Sequence, residues 1–366
     1  MLEEYAEDLA SIRELARRVL DDTATPDHLK ALLEEPGSFD RTLWTQAVEQ
    51  GWPAVSIPPD AEGLGLSWSG LGVLCEEAGR VTAALPLIPN ALAAHALLAV
   101  DVDDGNVAAL ASGGKIATLA LADPGDGGID RSPAARVDTG RLSGKKAPAA
   151  FAAVADLALV SAEDGDGVSL FLVRLDQPGV SREIVPTYDN GRAVAALEFG
   201  DVEAIKLGGP EALDRITSLA ALACAYEQIG GSQACLDMAV AYAKERYAFG
   251  QPIGQFQGIK HKLAEIYCLL EIARGCASDA LVAWEQGSAN RFELSCAARL
   301  GATKAYDFAA QENLHVHGGM GVTWEAMPHH YYRRARMLAL ELGGVGHWRE
   351  RLLRELVPTK TIAAAE

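Results

Sequence analysis

Positive charge is scarce in this chain of 366 residues: lysine and arginine number 32 against 50 aspartates and glutamates, a formal net charge of −18. A nucleic-acid binder turns a cationic face to the phosphates, and a protein docking on anionic lipid does the same. The balance argues against both partners. Cysteine is sparse too. Cys75, Cys224, Cys235, Cys268, Cys276 and Cys296 show no C-x-x-C spacing, and five of them lie in segments that read as buried helix. Reduced thiols are expected, not a disulfide framework or a zinc site. Long apolar runs are missing as well. The richest, residues 216–243, is broken by Glu227, Gln228, Gln233 and Asp237. It falls short of the roughly 18 clean residues of a membrane span. The opening MLEEYAEDLA lacks the apolar stretch of a secretory signal, so a cytoplasmic protein is expected.

What is present is ordinary globular material, 49% hydrophobic and 22% charged, long enough for two or three domains at about 150 residues each. Texture changes twice. Leu9, Ile12, Leu15, Ala16 and Val19 recur at the spacing of one helix face, and Asp40 is placed to cap a helix holding Leu43, Trp44 and Val48. A Gly/Pro-rich passage over residues 58–72 leads to a helix through Leu74, Cys75 and Ala78. From about residue 115 the period falls to two, predicting strands over 116–122, 154–161, 168–175 and 194–199. Glu163-Asp164-Gly165-Asp166-Gly167 signals a hairpin, and it lacks the remaining ligands of a calcium loop. From Pro210 the chain turns to long helices. Ile259, Leu263, Ile266, Leu270 and Ala273 mark one apolar stripe, and Gly318 and Gly319 stop the helix before them. The tail, residues 361–366, reads as frayed.

Two segments offer chemistry. Arg246-Tyr247-Ala248-Phe249-Gly250, followed by Phe256-Gln257, puts a guanidinium fork, a ring and an amide at a helix end. Such groups suit a diphosphate and a base. The plain alternative is a helix terminus with a favourable cation and a stopping glycine. His317-Gly318-Gly319-Met320-Gly321 lets a ligand approach backbone N–H groups, or simply turns the chain. Neither His315/His317 nor His329/His330 has the i, i+4 spacing of a helical metal site, and no metal is expected. Arg333, Arg334 and Arg336 read as a solvated or bridging face.

In this order and at these distances, the segments resemble the acyl-CoA dehydrogenase family. PPDAEGLGLSWSGLGVLCEEAGR (58–80) looks like that family's first-domain loop and helix, YAKERYAFGQPIGQFQGIKHKL (242–263) like its most specific signature, and GGMG (318–321) like its second. The resemblance implies an α+β fold: an N-terminal helical domain (1–112), a central β domain (113–205) and a C-terminal four-helix bundle (206–366). It also implies FAD, an acyl-CoA substrate desaturated between its α and β carbons, and an acceptor of the electron-transfer-flavoprotein kind. A glutamate base removes the α-proton while hydride leaves to the flavin. By the same resemblance, Arg246, Phe249, Gly250, Gln257, His315, Gly318, Gly319 and Gly321 contact the ADP portion of FAD held by a neighbouring subunit.

Departures from the family pattern cluster on the flavin and proton-transfer side. At one usual position for the base stands Leu342, beside Glu341; at the other stands Ala220, with Glu227 two turns onward. Glu227 and Glu341 are therefore weak base candidates, and a buried Glu227 paired within the bundle is the simpler reading. The flavin-facing loop, usually Thr-Glu-Pro then Gly-Ser-Asp, reads Ala122-Asp123-Pro124 then Gly125-Asp126-Gly127-Gly128. Where Trp-x-Thr is usual, the chain has Ala147-Pro148-Ala149-Ala150. Such a chain is similar to one subunit of the heteromeric (α2β2) bacterial steroid-CoA dehydrogenases, in which a paralogous partner contributes flavin pocket and base. A homomeric enzyme with a displaced glutamate, and a non-enzymatic structural paralogue, are the alternatives.

Overall fold

A computed structural model describes residues 2–100, 105–125, 129 and 134–357, with side chains from residue 6 onward. Asp126, Gly127 and Gly128 of the altered loop lie outside the described residues, as does the tail over 361–366. Six helices come first: α1 (Leu2–Thr23), α2 (Pro26–Glu34), α3 (Arg41–Glu49), α4 (Ser67–Arg80), α5 (Leu87–Leu98) and α6 (Asn106–Ala111). The Asp40 carboxylate accepts the Leu43 N–H at 2.9 Å, the cap read from the sequence.

The Gly-rich passage becomes helical earlier than its composition suggests: α4 starts at Ser67 and contains Gly70, Gly72 and Gly79. Packing explains this. A Cβ on Gly79 would sit 2.0 Å from the Glu227 carbonyl oxygen, and one on Gly230 would sit 1.9 Å from that of Glu76. The two helices therefore cross backbone to backbone, which only glycine permits. Arg13 and Arg17 of α1 clamp Glu77 at 2.8–2.9 Å on the outer side of α4.

The sheet comprises β1 (Ala117–Ala120), β2 (Arg136–Asp138), β3 (Arg141–Ala149), β4 (Leu157–Asp164), β5 (Gly167–Arg174), β6 (Val180–Ile184), β7 (Ala195–Glu203) and β8 (Ile205–Gly208). Its order is β6-β7-β3-β2-β4-β5-β8, with β1 beside β4. The expected hairpin is the β4–β5 turn, closed by the Asp164–Gly167 pair. Four strands escaped the sequence pattern: β2, β3, β6 and β8. β3 tolerates Pro148 because its register slips between Lys146 and Ala149, so one extra residue bulges out of the β7 ladder.

The C-terminal region is α7 (Pro210–Glu245), a small ribbon of β9 (Tyr247–Ala248) and β10 (Gln251–Pro252), α8 (Gln257–Glu285), α9 (Arg291–His317), α10 (Pro328–Leu340) and α11 (Val345–Leu356). Ile266, Leu270 and Ala273 bury the stripe of α8, while Ile259 and Leu263 are half-buried where its first turns pack on α7 and α9. All six cysteines are free: four are buried, Cys276 is half-buried and Cys268 is exposed. No helix among the described residues is long and apolar enough to cross a membrane.

Candidate active site and nucleotide clamp

The sequence-predicted residues gather in two places. The first is a cavity of about 170 Å³ where α5, β1, β3 and α7 meet the turn after α10. Its walls are largely apolar, with Leu85, Ile88, Leu121 and Phe151 facing Ala147-Pro148-Ala149-Ala150. An engineered cavity of roughly 150 Å³ holds one benzene. Space of this size is comparable to that of a single ring. Pro148 offers no N–H, and alanines offer neither an aromatic face nor a hydroxyl. The nearby loop is committed elsewhere: Asp123 ion-pairs with the buried Lys146 and accepts the Ala134 N–H at 2.6 Å.

Of the two base candidates, Glu341 is at this cavity and Glu227 lies behind Arg192, and both are already engaged. Glu341 lines the cavity beside Leu342. Its two carboxylate oxygens accept Arg192 Nη2 at 3.1 and 2.9 Å. Glu227 accepts Arg192 Nη1 at 2.9 Å and Arg334 Nη1 at 2.8 Å. Arg334 also bonds the Thr82 and Ala83 carbonyls at 2.8 Å and ion-pairs with Asp189. Arg299 donates to the carbonyls of Leu338 and Glu341, where α10 ends, and to Cys224 Sγ at 2.7 Å. Arg192 and Arg334 thus face three carboxylates, Glu227, Glu341 and Asp189, while Arg299 is held by carbonyls, Gln228 and the Cys224 sulfur. Burial disfavours the charged form of Arg192, yet Glu227, Glu341 and Asp189 outweigh it and raise its pKa. Burial pushes the Cys224 thiol up to about 12, leaving no thiolate nucleophile at neutral pH. Ala220 is wholly buried in α7.

Sequence reasoning missed Arg192. It follows Asn190-Gly191 in a loop that reads as a turn, and its partners lie 35 and 149 residues away. Arg334 came closer to detection, since its run was read as bridging. Arg333 bonds the Tyr188 carbonyl at 3.1 Å and Arg336 pairs with Asp307.

The second place is one end of the bundle. Arg246 caps α7, its N–H bonded to the Tyr242 carbonyl at 2.8 Å and its carbonyl to the Ile253 N–H at 2.8 Å. The residues read as a helix terminus form a β9–β10 ribbon, turned by Phe249 and Gly250 at φ +52° and +82°. Phe249 is 96% exposed. Tyr242 stacks on His317 at 4.2 Å and its hydroxyl reaches Met320 Sδ at 3.9 Å, joining the α7 end to the GGMG turn. Glu312 joins α8 to the same turn, ion-paired with Lys262 and 3.3 Å from His315. Ala239, Ala243 and Val316 form a small core beneath. Arg246, Phe249, Gly250, Gln257, His315, Gly318 and Gly319 are exposed together on this end. Gly321 is buried instead, and a Cβ there would meet the Leu314 carbonyl at 2.8 Å. An exposed guanidinium, a ring standing edge-on to Phe256 at 6.2 Å, an amide and side-chain-free backbone are groups that fit the ADP end of a dinucleotide.

Comparison with known proteins agrees with this architecture. The family model for the acyl-CoA dehydrogenase N-terminal domain matches residues 6–100, and that for the C-terminal domain matches residues 209–355. Acyl-CoA dehydrogenase IpdE2 of Mycolicibacterium smegmatis is 30% identical over 340 residues, covering 92% of this chain and 95% of that protein. A Tcur3481–Tcur3483 steroid acyl-CoA dehydrogenase variant superposes with a TM-score of 0.90 at 32% identity, over 99% of this chain and 100% of that one. The ChsE4–ChsE5 complex from Mycobacterium tuberculosis gives 0.89 at 28% identity, over 96% and 97%. The chain belongs to the acyl-CoA dehydrogenase family, oxidoreductases that act on a CH–CH bond.

Proposed function

We propose that this chain is the half-site subunit of a heteromeric, FAD-dependent acyl-CoA dehydrogenase. Its exposed Arg246, Phe249, Gly250, Gln257, His315, Gly318 and Gly319 hold the ADP end of a flavin whose redox ring sits in a paralogous partner. The partner also contributes the carboxylate that removes the α-proton. When bound, the flavin supplies the electron sink for α,β-desaturation of an acyl-CoA thioester, and a flavoprotein acceptor of the electron-transfer kind takes the electrons onward. A steroid side-chain CoA is the leading substrate class, by analogy with the steroid enzyme named above. An assembly of two copies of each chain, located in the cytoplasm, completes the reading.

One observation carries it. Glu227 and Glu341 are both bound by Arg192, next to a cavity whose Ala147-Pro148-Ala149-Ala150 wall offers a flavin neither an aromatic face nor a hydroxyl, while Arg246, Phe249 and Gln257 stand open to solvent. A general base needs a carboxylate oxygen turned to the substrate's α-proton, and both oxygens of Glu341 and Oε1 of Glu227 are taken up by Arg192, with Arg334 on that Glu227 oxygen as well. Co-expression with a paralogue, followed by a flavin-to-chain count, tests the proposal. One flavin per pair of unlike chains supports it; a fully flavinated assembly of this chain alone, turning over an acyl-CoA, supports the homomeric alternative.

A further inference from the structure

We propose that Arg192 is a latch built into this chain, fastening the β domain to the helical bundle beside the apolar cavity without any ligand. The inference rests on the half-site reading and deepens it: the two base candidates are held by the chain's own side chain.

The geometry supports a latch over a bystander. Arg192 lies in the loop between β6 and β7 and is 3% exposed. Its backbone is fixed to the cavity wall, since the Phe151 N–H bonds the Arg192 carbonyl at 2.7 Å. Its guanidinium carbon sits 5.4 Å from the Phe151 ring centre. From there one nitrogen reaches Glu227 in the middle of α7 and another takes both oxygens of Glu341 at the end of α10. Sheet, long helix and α10–α11 turn are thus joined through one planar cation. The turn is held in an uncommon shape: Leu342, at φ +61°, is a branched residue in the left-handed region. Such a conformation persists where surrounding contacts over-determine it, here the Arg192–Glu341 pair and the Arg299 bond to the Glu341 carbonyl at 2.6 Å. Glu227 keeps Arg334 as a second partner, whereas Glu341 has Arg192 as its only ion-pair partner among the described residues. The Arg192–Glu341 bond is therefore the one on which the turn depends.

A double-mutant cycle tests this in the full chain co-purified with its paralogue: Arg192→Met, Glu341→Met and the double variant. Unfolding by denaturant is read together with hydrogen exchange in peptides covering residues 145–151 and 338–345. Arg192→Met leaves Glu341 without an ion-pair partner among the described residues, and Glu341→Met leaves the buried Arg192 with Glu227 alone, so each should lower the folded-to-unfolded ratio about thirtyfold or more. Each should also speed exchange on both sides of the seam. The double variant replaces the pair by apolar groups and should recover at least about tenfold of that loss. Effects that add to within about twofold, or exchange that stays unchanged in both peptides, overturn the latch. Should Arg192→Met fail to accumulate, the double variant decides: folded protein supports the latch, and its absence overturns it. The flavin count on the same samples separates the two ideas. Two flavins per heterodimer overturn the half-site reading, whereas an additive cycle at one flavin per heterodimer overturns the latch alone.

Discussion

Glu227 and Arg334 meet at 2.8 Å inside the protein, with the Arg334 guanidinium also bonded to the Thr82 and Ala83 carbonyls. One ion pair thereby ties the N-terminal helices to the bundle at the depth where a catalytic carboxylate would be sought. Its role is structural in this account, and it separates the readings of Glu227.

Glu227→Gln leaves Arg192 and Arg334 short of one negative charge. A loss of roughly 3 kcal/mol or more in unfolding free energy is expected, measured by denaturant titration. A general base replaced by its amide gives the opposite signature: turnover falls and stability holds. An unchanged denaturation midpoint would therefore restore Glu227 as a base candidate.

Arg246→Ala removes an exposed cation whose backbone alone serves the fold. Folding stability should hold within about 0.5 kcal/mol, as for other surface changes. Flavin retention in the co-purified complex should weaken by about 1.5–3 kcal/mol, the usual worth of a hydrogen bond to a charged group. Equilibrium dialysis of flavin from variant and parent complexes measures it. Equal retention would remove Arg246 from the clamp.

Two histidines set an acid limit. Burial lowers His95 to about 4; burial and the neighbouring His329 lower His330 to about 4. Both stand near 6.5 in the unfolded chain. Between those values the unfolded state binds protons that the folded state refuses, so stability rises with pH in this window. Each histidine contributes a slope approaching about 1.4 kcal/mol per pH unit there. The stability is fully present above pH 6.5 and is lost as pH falls toward 4. Denaturant midpoints taken from pH 7 to 4.5 should show this slope, and His95→Gln should flatten it. A flat profile in the parent protein would contradict the buried placement of both rings.

Periodic elements were legible and packed irregular ones were not. Val168, Leu170, Leu172 and their neighbours announce β5 by composition. β3 does not, because Lys146 is buried by partners distant in sequence, Asp123 and Ser161, and Pro148 is absorbed by a bulge. β6 reads Val-Ser-Arg-Glu-Ile, a polar edge strand without an apolar face. The grouping of Arg246, Phe249 and Gln257 at one end of the bundle was legible because they fall within one short stretch. Arg192 was silent because a loop arginine gains meaning only when α7 and α10 close over it.

The half-site arrangement is tested most directly by counting flavin. The chain should be purified alone and with its paralogue, and absorbance in the flavin bands compared with the amount of each polypeptide. The account predicts little flavin on the chain alone and one flavin per pair of unlike chains in the complex. A yellow, stoichiometrically flavinated protein made only of this chain would contradict it.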